Sequence, residues 1–231
     1  MLKLFTLSLK LNGFPLNQAQ AELQRVRAIP EADYAAHLEL MKEALVRFHL
    51  QHNPLYRKLV PHGFTTWEDL PIMTKRDIQI PLTEKLSDGF NLKNVYVNKT
   101  SGSSGDPMVF AKDKFCHAMI WANIMRRVGW YGIDYNHSLQ ARFYGMPLDF
   151  IPLAKLRVKG WLSRRHRFNI FDFSEPAMDR MIDKFARTKF DYLNGYTGSI
   201  VLLAKHLRKK NIVLKDLCPT LKVCITTSEM L

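Results

Sequence analysis

Helical periodicity dominates the N-terminal part of the chain. Apolar residues recur three or four positions apart within residues 17–50, which predicts a helix. Pro30 and Glu31 are typical of a second helical segment opening inside this stretch, and Asn53 followed by Pro54 ends it. The apolar positions that carry the pattern are Leu38, Met41, Leu45 and Phe48.

The next stretch, residues 61–73, lacks this periodicity. It contains Pro61, Gly63 and Pro71, which predicts a loop. Thr74 is suited to cap a short helix, because Asp77 stands at the third helical position, as in a capping box.

From residue 95 onward, short apolar runs alternate with longer amphipathic runs. The shorter runs predict strands and the longer runs predict helices. Ser174, before Glu175 and Pro176, is typical of a helix start. This alternation predicts an α/β fold, with a mixed or parallel sheet that carries helices on both faces. The predicted strands are 95–99, 107–111, 138–144, 167–173, 190–193 and 221–226, and the predicted helices are 113–128, 175–188 and 198–210.

The composition is that of a globular protein with a basic surface. The 231 residues are 47% hydrophobic and 11% aromatic, which argues against disorder. The 34 Lys and Arg outnumber the 21 Asp and Glu, giving a net charge of +13. This charge favours anionic partners, among them ATP, coenzyme A, an anionic membrane surface and nucleic acid. No helix-turn-helix, zinc or aromatic-stacking pattern accompanies it, so nucleic acid is not an expected partner.

Several classes of protein are disfavoured by the distribution of residues. No run approaches the roughly 20 apolar residues that a membrane helix needs, and Lys10 interrupts the apolar start, so we expect no signal peptide. His49 and His52 lie three apart on the predicted helix, but nothing places a further ligand with them, so we expect no metal site. The cysteines have no paired spacing, which predicts reduced, mostly buried thiols and a cytoplasmic location. They are Cys116, Cys218 and Cys224.

A basic segment without acidic residues spans residues 155–167, with Trp161 and Leu162 at its centre. Its composition fits a peripheral contact with an anionic membrane surface. It fits an ordinary basic turn between two sheet elements better, because Gly160 interrupts any long amphipathic helix. The basic residues are Lys155, Arg157, Lys159, Arg164, Arg165 and Arg167.

Hydroxyl residues and glycines fill a stretch between two β-favouring runs, 95–97 and 108–111. Residues 100–106 read Thr-Ser-Gly-Ser-Ser-Gly-Asp and offer backbone N–H groups and short hydroxyls. Such a loop is suited to wrap a phosphate, and equally to form an exposed hairpin turn. It is not a Walker loop, because no Lys follows Gly105. It is not a dinucleotide fingerprint, because it leads into a predicted strand.

The same stretch resembles the Thr-Ser-Gly-Ser/Thr-Thr-Gly-x-Pro phosphate loop of adenylate-forming (acyl-activating) enzymes, over residues 100–107. Three other stretches resemble the branch that contains phenylacetate–CoA ligases and CapK-like capsule-biosynthesis proteins. They are Asn-Pro-Leu-Tyr-Arg at 53–57, Trp-Glu-Asp-Leu-Pro-Ile-Met-Thr-Lys-Arg-Asp at 67–77 and Tyr-Leu-Asn-Gly-Tyr-Thr-Gly-Ser at 192–199. All four occur in the family's order.

The resemblance implies activation of a carboxylate with ATP and Mg²⁺, followed by transfer of the acyl group to a thiol, that of coenzyme A. It implies a helical N-terminal region at 1–90 and part of an α/β nucleotide-binding subdomain at 91–231. The residues it assigns to the ATP phosphates are Thr100, Ser101, Gly102, Ser103, Ser104 and Gly105. The residues it places near the adenine and the acyl substrate are Gly195, Tyr196, Thr227, Ser228 and Glu229.

This sequence departs from the family pattern at two places. Met108 stands where many members have Lys, and Ser-Glu-Met at 228–230 stands where the family often has Ala-Glu-Pro. Phe143, Tyr144 and Gly145 end another predicted strand and are further candidates for lining the same cleft, although an aromatic pair at a strand end more often packs in the core. The family's ribose-binding Asp, magnesium-binding acid, hinge and small domain with the catalytic Lys have no counterpart up to residue 231. We therefore expect a truncated and inactive portion of a longer enzyme.

A second hypothesis requires no catalysis. The basic surface suits a non-catalytic module that binds nucleotides or other polyanions. A steep salt dependence with nucleic acid, without preference for ATP, would favour the module over the enzyme. For the enzyme, an aryl acetate, another aryl acid, an amino acid and a sugar-linked acid all fit as the acyl substrate.

Overall fold

The computed structural model describes residues 3–60, 66–100, 107–145 and 164–228. Residues 101–105 of the predicted phosphate loop, Glu229, and the basic residues Lys155, Arg157 and Lys159 lie outside these ranges. Two compact units divide the chain, one formed by residues 1–8 with 124–231 and the other by residues 9–123. The family-based division between residues 90 and 91 stays a prediction.

Helices and strands alternate from residue 95 onward, which confirms the predicted α/β class. The described helices are α1 (Leu4–Leu11), α2 (Leu16–Arg27), α3 (Glu31–His52), α4 (Pro54–Leu59), α5 (Leu82–Lys85), α6 (Lys114–Gly129), α7 (Glu175–Arg187), α8 (Thr197–Lys209) and α9 (Leu214–Leu217), with a 3₁₀ turn at Trp67–Asp69. The described strands are β1 (Val95–Lys99), β2 (Val109–Asp113), β3 (Gln140–Phe143), β4 (Arg165–Arg167), β5 (Tyr192–Tyr196) and β6 (Val223–Thr227).

The predicted N-terminal helix forms two helices, α2 and α3, which are separated before Glu31 as Pro30 indicates. The helix α3 ends at His52, where the sequence predicts its end. The side chain of Asn53 then caps α4, since its Oδ1 accepts a hydrogen bond from the N–H of Tyr56 at 2.9 Å. Its Nδ2 donates to the carbonyl of Lys85 at 2.9 Å and to the hydroxyl of Ser87 at 3.1 Å. One buried amide thus ties the end of a long helix to a distant loop.

The predicted short helix after Thr74 is wrong. The Asp77 carboxylate does accept from the N–H of Thr74 at 2.6 Å and from its hydroxyl at 2.7 Å. The residues that follow form only a turn, however. Pro81 restricts the residue before it to extended conformations, which prevents the turn from continuing as a helix.

The predicted strand at 167–173 is also wrong, because β4 ends at Arg167. The side-chain oxygens of Asn169 and Asp172 accept hydrogen bonds from the N–H groups of Phe171 and Ser174, each at 3.0 Å. These local bonds replace ladder bonds to a neighbouring strand. Ser174 does precede α7, as predicted, but its hydroxyl makes no capping bond to the helix.

The cysteines are all free, but the prediction that they are mostly buried is wrong. Cys218 is buried, whereas Cys116 and Cys224 are exposed. Within the ranges that the structure covers, no helix is long and apolar enough to cross a membrane.

Strands β1 and β2 form an antiparallel hairpin that pairs Val95 with Asp113 and Lys99 with Val109. A second sheet has the order β4-β3-β5-β6, and all its neighbours are parallel. The connections from β4 to β5 through α7, and from β5 to β6 through α8, advance in the same direction across this sheet. Since such crossovers are right-handed, both helices lie on the same face.

That face carries the main core of its unit. Alternate residues of the central strands, among them Ala141, Phe143 and Leu193, are buried there under α7 and α8. The rings of Phe143 and Phe168 stack with centroids 4.6 Å apart, and Phe168 stacks on Phe185 at 5.2 Å. Apolar burial and ring stacking therefore fix the sheet against its two helices.

The opposite face of the sheet is polar. Phe5 of α1 approaches this side, since its ring centroid lies 4.7 Å from that of Tyr135 and 5.3 Å from the guanidinium of Arg165. Helical residues thus contact both faces, as predicted. We call the face opposite the core the polar sheet face. Its strand residues are Gln140, Arg142, Arg165, Arg167, Tyr192 and Asn194.

Candidate active site

The carboxyl ends of β3, β5 and β6 meet at one edge of the parallel sheet. Open α/β sheets bind ligands outside the carboxyl ends of their strands. The sequence predicts substrate contacts on the segments that end β5 and β6, and a weaker candidate at the end of β3. The structure brings all three together. We call this group the strand-end cluster, and its residues are Tyr144, Asn194, Gly195, Tyr196, Thr227 and Ser228.

Tyr144 is the centre of the strand-end cluster. Its hydroxyl donates to the Asn194 side-chain oxygen at 2.8 Å and lies 3.0 Å from the Thr227 hydroxyl. Its ring meets the ring of Tyr196 edge to face, with centroids 4.9 Å apart. Tyr196 is half-buried. The two rings therefore form a partly accessible aromatic wall that hydrogen bonds hold in place.

Gly195 has a packing role in this cluster. A Cβ atom at this position would lie 2.4 Å from both the Cβ and the carbonyl oxygen of Phe143, closer than real Cβ atoms approach. Only glycine lets β5 approach the end of β3 this closely. Gly195 is itself buried.

The end of β6 supplies two hydroxyl residues. The Thr227 hydroxyl lies 3.5 Å from the Gly195 carbonyl oxygen, and the Thr227 carbonyl accepts from the Thr197 hydroxyl at 3.4 Å. Ser228 is exposed and has a φ of 78°, a left-handed conformation that costs a non-glycine residue about 1–2 kcal/mol. Such backbone strain is concentrated at functional sites and turns.

The helix α8 begins at Thr197, directly after Tyr196. The first turn of a helix presents N–H groups without helical partners and the positive end of the helix dipole. The strand-to-helix connection that the sequence indicates is present, and it starts at the strand-end cluster.

The predicted phosphate loop joins β1 and β2, and of its site residues the structure describes Thr100. The Thr100 N–H donates to the Met108 carbonyl at 2.9 Å, and its Oγ1 accepts from the Met108 N–H at 2.9 Å. These two bonds close the hairpin below the loop. The Thr100 side chain is exposed, and its hydroxyl can still donate a hydrogen bond to a ligand.

Two residues at or beside the strand-end cluster are not among the site residues predicted from the sequence. Asn194 lies inside a predicted connection, and only the fold shows that it holds Tyr144. Arg142 lies within a predicted strand, and its guanidinium carbon is 4.4 Å from the Tyr144 ring centre, a cation–π contact. The alternation of side chains along β3 could have indicated the position of Arg142, because it places this residue on the face opposite Phe143.

The side chains of the strand-end cluster fit a nucleoside or acyl ligand better than a metal ion. They offer hydroxyls, one amide and two aromatic rings. Elsewhere in the described ranges, no group of three or more His, Cys, Asp or Glu could hold a metal ion.

No protein-family model matches this sequence, and no curated protein matches it. Among solved structures, the chain is similar to 2-hydroxyisobutyryl-CoA ligase in an open conformation, in complex with 2-HIB-AMP and CoA. The TM-score is 0.55 at 18% identity, over 87% of this chain and 49% of the ligase.

Two further structures of that ligase are similar to this chain. The postadenylation state with 2-HIB-AMP has a TM-score of 0.55 at 17% identity, over 87% of this chain and 44% of the ligase. The thioesterification state with 2-HIB-AMP and CoA has a TM-score of 0.52 at 17% identity, over 86% and 44%. This chain therefore has the fold of part of 2-hydroxyisobutyryl-CoA ligase, and it spans slightly less than half of that protein's length.

Proposed function

We propose that this chain is part of an enzyme that uses ATP to activate a carboxylate and transfers the acyl group to coenzyme A. The observation that carries the proposal is the similarity of 87% of the chain to a CoA ligase described with an acyl-AMP and CoA. In this reaction a carboxylate oxygen attacks the α-phosphorus of ATP and pyrophosphate leaves. The thiol sulfur then attacks the acyl carbon, AMP leaves, and the thiol proton passes to solvent.

Within this class of enzyme, we assign the chain to the phenylacetate–CoA ligase and CapK-like branch. It is supported by the order of the motifs at 53–57, 67–77 and 192–199 along the chain. The substrate would then be a small carboxylic acid bound beside the wall of Tyr144 and Tyr196. Gly195, Thr227, Ser228 and Glu229 would complete the surface near the adenine and this acid.

The loop at 100–105 is proposed to hold the β- and γ-phosphates of ATP, with Mg²⁺ on the triphosphate. Backbone N–H groups and hydroxyls stabilise the negative charge of phosphate oxygens. Thr100 fits this role, since its oxygen already accepts from the Met108 N–H and its hydroxyl can donate a hydrogen bond to a phosphate oxygen.

Titration of the purified chain with ATP and Mg²⁺ by isothermal calorimetry tests the loop assignment. Thr100→Val, and Ala at Ser101, Ser103 and Ser104 together, are expected to weaken ATP binding by about tenfold or more, since charge-assisted hydrogen bonds are lost. Thr83→Val is the matched control, because Thr83 is an exposed threonine of α5, outside the loop. Unchanged ATP affinity in the loop variants would contradict the assignment. Steep salt-dependent binding of nucleic acid without preference for ATP would favour the non-catalytic module.

The 231-residue chain by itself is expected not to complete the reaction, because it matches less than half of the ligase. Carboxylate-dependent exchange of pyrophosphate into ATP is the measurement. Substantial exchange by the purified chain would show that these residues alone form an active enzyme.

A further inference from the structure

The polar sheet face places three arginines and a glutamine next to one another. Gln140 pairs with Arg165, and Arg142 pairs with Arg167, in the register of β3 and β4. Paired residues of neighbouring strands point to the same face of a sheet, and the strands are about 4.8 Å apart. These four side chains therefore share one side of two adjacent strands.

The three arginines have no counter-charge among the described residues. None of them forms an ion pair with a described carboxylate. Arg165 donates to the Tyr135 hydroxyl at 2.6 Å, and Arg142 stacks on Tyr144. Burial, and then the positive charges of Arg165 and Arg167, lower the pKa of Arg142. The cations thus repel one another across a half-buried surface.

Buried polar atoms at the same place have no partner in the described part of the chain. Gln140 is only 1% exposed, and neither its Oε1 nor its Nε2 makes a hydrogen bond. The buried Nε of Arg142 has none either. Buried polar groups in folded proteins are nearly always paired, so each such atom requires an explanation. Two of these atoms, the Nε2 of Gln140 and the Nε of Arg142, are donors, and donors beside three unbalanced cations suit an anion. The Oε1 of Gln140 is an acceptor, which an anion does not satisfy.

We propose that the polar sheet face binds a phosphate group, gripped by Arg142 and Arg167 and further stabilised by the charge of Arg165 and the Nε2 of Gln140. Guanidinium groups form paired hydrogen bonds to phosphate oxygens. A tetrahedral dianion balances several guanidiniums, whereas an isolated carboxylate matches a single one. Through its stack on Tyr144, Arg142 connects this site to the strand-end cluster. The proposal stands on the contacts of this face and does not depend on the proposed enzymatic function.

Calorimetric titration of the whole 231-residue chain with inorganic phosphate tests the site, with acetate at equal ionic strength as the carboxylate comparison. Phosphate is expected to bind at least about tenfold more tightly than acetate. Arg142→Met and Arg167→Met are each expected to weaken phosphate binding by about tenfold. Arg208→Met is the matched control, because Arg208 is an exposed arginine of α8, and it should change the affinity by less than about twofold.

Arg142→Lys separates charge from geometry. It keeps the positive charge but lacks the planar fork, so it is expected to lose most of the affinity that Arg142→Met loses. Circular dichroism establishes whether each variant is folded. If Arg142→Met does not fold, Arg167→Met, on the edge strand β4, provides the test. Wild-type affinity in a folded Arg142→Met or Arg167→Met variant would overturn the proposal. Equal binding of acetate and phosphate, or an equal loss in Arg208→Met, would also overturn it.

Discussion

Replacing Gly195 by alanine should separate the strands on which the strand-end cluster is built. The added Cβ would lie 2.4 Å from the Cβ and carbonyl oxygen of Phe143, whereas real Cβ atoms essentially never come within 3.0 Å. The backbone fixes the positions of both atoms, and no side-chain rotation can move them. The strands β3 and β5 must therefore move apart by more than half an ångström. Phe143 is fully buried, and moving it disturbs the aromatic core.

The free energy of unfolding is expected to fall by about 3 kcal/mol, the upper end of the range for overpacked cores. Urea unfolding followed by far-ultraviolet circular dichroism measures this change. Gly129→Ala is the control, because a Cβ at Gly129 meets nothing within 4 Å and alanine favours the helix α6. A change within about 0.5 kcal/mol for Gly195→Ala, as at ordinary surface positions, would refute the close-approach argument.

Three further substitutions test other parts of the chain. Tyr144→Phe removes two side-chain hydrogen bonds and should lower the free energy of unfolding by about 1–2 kcal/mol, whereas Tyr131→Phe, at an exposed ring, should leave it unchanged. Burial, and then the charge of Lys184, lower the pKa of His166 below its usual value of 6.5. The unfolded chain therefore binds more protons near that pH, so the free energy of unfolding falls as the pH drops through about 6.5, and His166→Phe should reduce this slope. Arg164→Ala should weaken co-sedimentation with anionic vesicles if the basic segment contacts membranes, and an unchanged bound fraction would contradict that contact.

Local chemistry along the sequence determined several elements of this fold. Apolar spacing indicated the helix α3, and the Asn53–Pro54 pair marked its end. The β-favouring runs around the hydroxyl-rich loop predicted the hairpin of β1 and β2. These features depend on neighbours within a few residues, which is why a sequence alone can specify them.

The spacing of apolar residues did not determine which parts of the chain pack against each helix or strand. The apolar stripe of α3 has the helical period, yet its four side chains are 40–53% exposed in the structure. The sequence pattern also placed the end of the strand β4 at the wrong residue. Asn169 and Asp172 bind local backbone groups, and these bonds compete with a strand pattern that continues to residue 173.

Only the tertiary structure decided which distant residues meet. Tyr144 and Asn194 are 50 positions apart, and Arg142 lies beside Arg167 because β3 and β4 pair in one register. A shift of one residue in either strand would send these side chains to opposite faces. Register is set by packing across the whole sheet, so the strand-end cluster and the polar sheet face become visible only after the chain has folded.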